Sequence, residues 1–428
     1  MIQYNEALHL LEEIGSLRRL RSERIPVLDS VGRILASPIF SKEEIPSFTN
    51  SAMDGFAIFS SDTSNASSSN PVRIRVQGLV AAGDLQAYEA ACANKSGVAV
   101  EIMTGAPLPT GSYDAVVKVE DVVVVKTPSG EIQAIEVSRP SRAGENVRLQ
   151  GTDFAEGQLV IEDGVRIAPE HVLACASLGI NQLNVKTLPK ISLVSTGSEL
   201  VPPDEPYLAQ GMIRNSTGHF LLTALSQFGI KSDYLGIVRD DPTRYRKVLE
   251  RALADGAEIF ISTGAVSLGK FDFVSEVLKD MGATTYFHKA AIRPGKPILF
   301  AEFGSGKNKA LFFGIPGNPV STAVGLRFFV EPFIRSLLGL ARETSLKASL
   351  IHDCPKPEGL RCFFKGKARV GSNGLEVEAL KGQASYIVSA LLDANCWVIL
   401  PEEGTLCSAK MGVEIVPLHN AFEKGVLS

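Results

Sequence analysis

The chain has 428 residues, a formal net charge of −4, 45% hydrophobic residues and 21% charged ones. Such a length exceeds the roughly 250 to 300 residues at which one core stops growing, so two to four domains are expected, and the composition excludes a disordered chain. A net acidic chain has no global basic field to draw in nucleic acid, so an anionic ligand needs a local cluster of cations.

Residues 4 to 20 place Ala7, Leu11, Ile14 and Leu17 at helical spacing, which predicts an amphipathic helix. Its apolar positions are interrupted by Glu and Arg, and no later stretch approaches the ~18 unbroken apolar residues of a membrane span. The chain therefore reads as soluble, cytoplasmic and without a membrane partner. Next comes PSFTNSAMDGFA (Pro46 to Ala57), small polar residues with Asp54 set against a glycine. From the residues alone, a tight structural turn explains it at least as well as a ligand site.

SSDTSNASSSN (Ser60 to Asn70) predicts a mobile polar loop. Between Val72 and Val137 the runs RIRVQGLV, AVVKVEDVVVVK and IQAIEV predict a small inserted β-rich domain. Gly144 to Val160 is turn chemistry, PEHVLACASLGI reads as a helix ending at Gly179, and a boundary falls near Leu188 or Pro189. Strand, loop and helix then alternate from ISLVSTGSEL to STAVGLRFFVEPFI, which predicts βαβ units and a mostly parallel sheet with helices on both faces. From about Leu337 short alternating strands return, so the fold class is α/β and β multidomain.

In open α/β sheets ligands bind beyond the carboxyl ends of the strands. Here those ends carry Ser195, Thr196, Gly197, Ser198 and Glu199, then Thr263, Gly264 and Ser267, then Pro316, Gly317 and Asn318. Glycine lets backbone approach a ligand, and hydroxyls, freed N–H groups and a following helix N-terminus attract an anion. Tight turns and helix caps explain one such loop; their recurrence shifts the balance to a phosphate or oxyanion cradle. Asn318 before Pro319 also suits an N-cap, as does Asp241 before Pro242.

Glu199, Asp240 and Asp272 fall on one predicted sheet edge and are candidates to hold magnesium, a hard cation that takes one or two carboxylates. HKAAIRPGKP gathers His288, Lys289, Arg293 and Lys296 into one segment stiffened by proline. The six cysteines and six histidines show no metal-ligand spacing, and no nucleophile elbow or Walker A lysine is present.

PSFTNSAMDGFA resembles a signature segment of the MoeA family, the molybdopterin molybdenumtransferases related to the C-terminal part of gephyrin. The likeness continues in order through AVEIMTGAPLPTGSYDAVVKVED, GENVRLQGTD, STGSEL, GIVRDDP, ISTGAVSLGKFDF, RPGKP, GIPGNPVS and GQASYI. It implies a discontinuous elongated domain (1–50 and 142–188), a β-rich insertion (51–141), an α/β molybdopterin-binding domain (189–336) and a C-terminal β-barrel-like domain (337–428). It also implies a homodimer with its site between protomers, and a reaction in which adenylylated molybdopterin, molybdate and magnesium yield AMP and molybdenum cofactor. A molybdopterin adenylyltransferase would be the upstream donor, and apo-molybdoenzymes or cofactor carriers the recipients.

Residue by residue, the resemblance carries functional roles to Asp54, Thr104, Arg148, Asp153, Glu199, Asp240, Asp272, Lys289 and Ser385. Lys289 and Arg293 would neutralise phosphate or molybdate, while Arg148, Lys365 and Ser385 would complete an anion-binding surface. The chain departs from the family pattern at Thr49 and Ser198, where Asp is usual, and at Ala265, Phe273, Arg293 and Lys365. The two lost acids motivate a second reading, a molybdopterin-binding scaffold without catalysis. A third, adenylylation of molybdopterin, is disfavoured by the additional domains. Molybdate and tungstate are not distinguished by these residues.

Overall fold

The computed structural model describes residues 1–418 apart from 94, 110–112, 266–272 and 306–307. Its first helix spans Tyr4–Leu17. Ala7 and Leu11 are buried as the spacing predicts, whereas Leu17, expected on that face, is 75% exposed. The difference follows from where the helix is packed. Ser336 Oγ donates to the Glu12 carbonyl at 2.6 Å, and a Cβ at Gly15 would stand 3.0 Å from that of Ser336. Leu17 lies past this contact, in the last turn.

Strand Ser22–Pro26 pairs antiparallel with Gln182–Lys186, so the segments before and after the insertion meet. Inside the insertion six strands form one sheet in the order Ala115–Lys118, Gly55–Ile58, Val98–Ile102, Val72–Val80, Ile132–Val137, Val122–Lys126. Alternation places Ala57, Val100, Ile102 and Val116 in one apolar cluster and Phe56, Ile58, Ala99 and Val117 in another, so both faces are buried. Gly55 is required at the start of this sheet because a Cβ there would lie 2.1 Å from the Val117 carbonyl oxygen. The helix Leu85–Cys92, capped by Asp84, was not legible in the sequence. The Ser60–Asn70 stretch, expected as a mobile loop, contains a 3-10 turn over Ser60–Thr63. Ser60 N and Oγ each donate to the Asp114 carboxylate at 2.7 Å, which explains the turn.

The α/β sheet contains β1 (Ile191–Thr196), β2 (Asp233–Val238), β3 (Ile259–Thr263), β4 (Thr284–His288), β5 (Leu299–Ser305) and β6 (Asn308–Ile315). Its order is β2-β1-β3-β6-β5-β4, with β2, β1, β3 and β6 parallel and β5 antiparallel to both neighbours. Ile259 and Ile261 enter the apolar cluster on one face and Phe260 that on the other, the pattern of a sheet covered on both sides. After β6 a helix begins at Pro319, passes through a π turn at Leu326–Val330 and ends at Leu338 before Gly339. Consequently the strand-rich tail starts at Leu346 rather than near Leu337.

In the tail, strands Arg361–Gly371, Gly374–Ala379, Leu346–Leu350, Gly412–Pro417 and Cys396–Leu400 pair in succession, and the last pairs back with the first, closing a barrel. Closure leaves no open edge among these strands. Ile292 and Arg293 pair in parallel with Arg361 and Cys362, which bonds the RPGKP segment to the barrel. Among the described residues no helix is long and apolar enough to cross a membrane.

Candidate functional site

The chain leaves β1 for β2 on one side and then returns to β3 on the other, so the β1/β3 crevice is the switch point of the sheet. Thr196 Oγ1 donates to the Thr263 carbonyl at 3.0 Å across this crevice. Gly264 N donates to the Ile315 carbonyl at 3.1 Å, and Gly197 N to the Val238 carbonyl at 3.2 Å. A Cβ at Gly264, whose φ is +89°, would stand 2.5 Å from the Thr196 carbonyl oxygen, and one at Gly317 would stand 3.6 Å from the Gly264 Cα. Three loops thus meet as bare backbone, a floor that a phosphate can approach closely. Ala265 continues it with a φ of +49°, a conformation glycine would hold without strain.

Two expectations change here. Ser195 does not face the crevice: it is buried and accepts from Asn215 Nδ2 at 3.0 Å. Asn318 occupies the N-cap position before Pro319 but its side chain makes no capping bond, and it is exposed. Asp241, by contrast, caps its helix, accepting from Arg244 N at 3.0 Å.

Asp240 Oδ2 accepts from Ser198 N at 3.2 Å, and Ser198 Oγ accepts from Asp240 N at 3.3 Å. Ser198 therefore ties the β1 and β2 loops together. Glu199 folds back over the preceding turn, with its Oε2 2.6 Å from where a Gly197 Cβ would be. Two carboxylates consequently flank one loop. Asp272 and Ser267 lie outside the described residues, and among the described residues no group of three or more His, Cys, Asp and Glu is arranged to hold a metal. Glu199 and Asp240 offer only hard carboxylate oxygens, donors that suit magnesium and leave the rest of its shell to water and phosphate.

A cleft of about 790 Å³ opens between the sheet and the barrel, lined by Arg293, Gly295, Lys296, Ser321, Lys356 and Ser385 with no carboxylate among the described lining. Arg293 and Lys296 are exposed, so their charges are available to a ligand. Lys289 is only half-buried and does not line this cleft; its backbone is fixed at φ +77°, with N donating to the Ile298 carbonyl at 2.8 Å. Lys356 carries no motif in the sequence. It is 94% buried (6% exposed), and its Nζ donates to the carbonyls of Gly404 (2.7 Å), Glu402 (3.1 Å) and Pro357 (3.3 Å).

Lys365, expected on the anion-binding surface, is instead wholly buried, and its ammonium donates to main-chain carbonyls of the Gly382–Ile387 loop. Burial lowers its pKa. The reason is its position mid-strand in the barrel wall, behind the loop that lines the cleft, whose carbonyls take up its ammonium.

The PSFTNSAMDGFA loop forms a second set. Asp54 Oδ1 accepts from Thr104 N at 2.6 Å and Thr104 Oγ1 at 2.8 Å, and the first of these bonds holds the carboxyl below its ordinary pKa. Arg148 pairs in register with Asn50, and Asp153 N donates to the Ile45 carbonyl at 2.9 Å. Thr49, where an acid is usual in the pattern above, accepts from Gln150 N at 3.2 Å. Asp54, Thr104, Arg148 and Asp153 are all exposed, and none is bonded to Glu199, Asp240, Arg293 or Lys296. Within one chain, no described bond joins the two sets.

Fold and geometry define a class: a multidomain α/β protein with closely packed glycine turns at its strand ends, a basic cleft shared with a β-barrel, and an inserted domain whose first loop presents Asp54. Three family models match in chain order: the MoeA N-terminal region (domain I and II) over residues 2–179, a probable molybdopterin binding domain over 192–336, and the MoeA C-terminal region (domain IV) over 347–418. A molybdopterin molybdenumtransferase of Synechococcus elongatus is 38% identical over 97% of this chain and 99% of its own length. One of Bacillus subtilis is 31% identical over 89% and 86%. The crystal structure of the molybdopterin biosynthesis MoeA protein of Pyrococcus horikoshii OT3 superposes with a TM-score of 0.79 at 28% identity, covering 97% of this chain and all of that one. The chain belongs to the MoeA family.

Proposed function

We propose that this chain is a molybdopterin molybdenumtransferase: it takes adenylylated molybdopterin and molybdate and releases AMP and molybdenum cofactor. The observation that carries the reading is the meeting of Thr196, Gly264 and Gly317 at the strand ends, together with a cleft that holds Arg293 and Lys296 and no described acid. The backbone floor receives the phosphate end of the substrate, while the cleft receives the tetrahedral oxyanion. Relatives named for this transfer, alike over most of their length, support it.

Glu199 and Asp240 would hold magnesium, with Asp272 as third member of the set that the sequence suggests. When bound, the ion supplies positive charge beside the phosphate. Ser198 keeps Asp240 oriented through its reciprocal bonds, so the missing acid at this position is replaced by a structural tie. Asp54 is available as an ionised acceptor, already aimed by Thr104. Because no described bond joins the Asp54 loop to the strand ends within one chain, we assign the complete site to a homodimer in which each half comes from a different copy. The substrate would come from a molybdopterin adenylyltransferase, and the product would pass to apo-molybdoenzymes or carriers.

The reaction itself is the test. Purified protein given adenylylated molybdopterin, molybdate and magnesium is expected to release AMP and to yield cofactor that activates an apo-molybdoenzyme. Tight molybdopterin binding with no AMP release, unaltered by Glu199→Ala, would favour the scaffold reading motivated by Thr49 and Ser198.

A further inference from the structure

Lys365 sits mid-strand in the barrel wall, in register with Trp397, and is 0% exposed. Its Nζ donates to the carbonyls of Gly382 (2.6 Å), Ile387 (3.1 Å) and Ala384 (3.5 Å). An ammonium has three protons, so this one loop absorbs them all. The backbone of the same residue grips the loop again: Lys365 N donates to Gln383 Oε1 at 2.9 Å, and the Lys365 carbonyl accepts from Gln383 Nε2 at 2.9 Å. Every partner of the ammonium is a carbonyl and none is a carboxylate. Burying a lysine in this way costs desolvation, and only a fixed geometry of the surrounding dipoles offsets it.

The loop held by Lys365 is the one that lines the cleft with Gln383, Ala384 and Ser385, opposite Arg293 and Lys296. It also reaches the sheet. Ser385 O accepts from Val320 N at 3.0 Å, in the first turn of the helix that follows the Gly317 turn. A single side chain therefore fixes a loop that touches both the basic cleft and the helix that follows the Gly317 turn.

We infer that Lys365 is a positioning residue: it sets the Gly382–Ile387 loop so that Ser385 faces the cleft, and it does not itself touch the oxyanion. What the cleft binds rests on the proposed reaction; that the loop is anchored by Lys365 does not. Conservative exchange between Lys and Arg is then constrained by how the carbonyl cage accepts donors, rather than by charge at the ligand.

Hydrogen exchange on the intact, ligand-free protein decides the anchoring. Lys365→Met is expected to speed exchange of the amides at 382–388 while leaving strand Cys396–Leu400 protected, and Lys365→Arg is expected to restore part of that protection. Unchanged exchange at 382–388 would overturn the inference. Should the Met variant not fold, Lys365→Gln, which keeps two donors, is read in the same way. Calorimetry with molybdate alone then separates positioning from contact. Lys365→Met and Ser385→Ala are each expected to weaken binding by about ten-fold, and the double variant by no more than the weaker single one. Fully additive losses would mean that Lys365 contacts the anion independently and would overturn the inference. A wild-type protein that binds no molybdate would contradict the proposed function, while the exchange result would still decide the anchor.

Discussion

Gly264 and Thr196 approach so closely that no side chain fits between them: a Cβ at residue 264 would lie 2.5 Å from the Thr196 carbonyl oxygen and 2.8 Å from its Oγ1. The contact joins the ends of two neighbouring parallel strands at the switch point of the sheet. Gly264→Ala must therefore push the two loops apart while also holding an L residue at a φ of +89°. The variant is expected to lose about 1–2 kcal/mol of stability from the backbone conformation alone. Its rate is expected to fall by roughly 100-fold from misplacement of the cradle. Thermal melting and steady-state AMP release measure the two effects separately.

Asp54 gives a prediction in pH. Its two bonds from Thr104 favour the ionised form, so its pKa is depressed in the folded chain. A depressed acid contributes stability above its unfolded pKa of about 3.9, and that contribution is lost as the pH falls through the lower folded value. Wild type is accordingly expected to exceed Asp54→Asn in melting temperature at neutral pH, with the gap closing only in strong acid. Above about pH 5 the Asp54 charge is constant, so any pH dependence of turnover there belongs to another group. Melting curves of the two proteins from pH 2 to 8 check the first statement, and a pH–rate profile checks the second.

Glu331 gives the opposite sign. It is buried beside Arg327, with Arg327 Nη1 to Glu331 Oε2 at 3.1 Å, while Arg327 also pairs with Glu343 at 2.6 Å. Burial raises the Glu331 carboxyl to about 7, against the pull of Arg327. The folded chain then binds a proton that the unfolded chain releases, so stability falls as the pH rises from about 4.5 to about 7. Glu331→Gln keeps the shape and one hydrogen-bonding oxygen but cannot titrate. Its denaturation free energy is expected to be flatter than that of wild type across that window. Equal slopes in urea titrations at pH 5, 6 and 7 would contradict the assignment.

The strand-end loops were legible because strand, glycine turn and helix recur with a clear period, and the glycines are where backbone must touch backbone. Gly264 and Gly317 follow that pattern, and the structure brings them together. The direction of Ser195 was not legible: only the fold reveals that Asn215, twenty residues on, turns it inward. Lys365 misled for a related reason. The resemblance alone put it on the anion-binding surface, and its burial depends on barrel closure and on a loop that no local pattern connects to it. Strands β4 and β5 were missed because TTYFH and LFAEFGS flank a basic segment that reads as loop and pair antiparallel, outside the strand, loop and helix alternation. The Asp54–Thr104 pair spans fifty residues, so it came from the resemblance and not from spacing.

The reaction centre proposed above is built from the strand-end acids of one copy and the Asp54 loop of another. Mixed dimers test it most directly. Asp54→Asn and Glu199→Gln, each folded and each inactive alone, are mixed, allowed to exchange subunits and assayed for molybdate-dependent AMP release beside the wild type. The mixture is expected to regain activity that neither variant has, because some dimers then carry one intact site. A mixture that stays inactive after proven subunit exchange, with wild type active in the same assay, would contradict it.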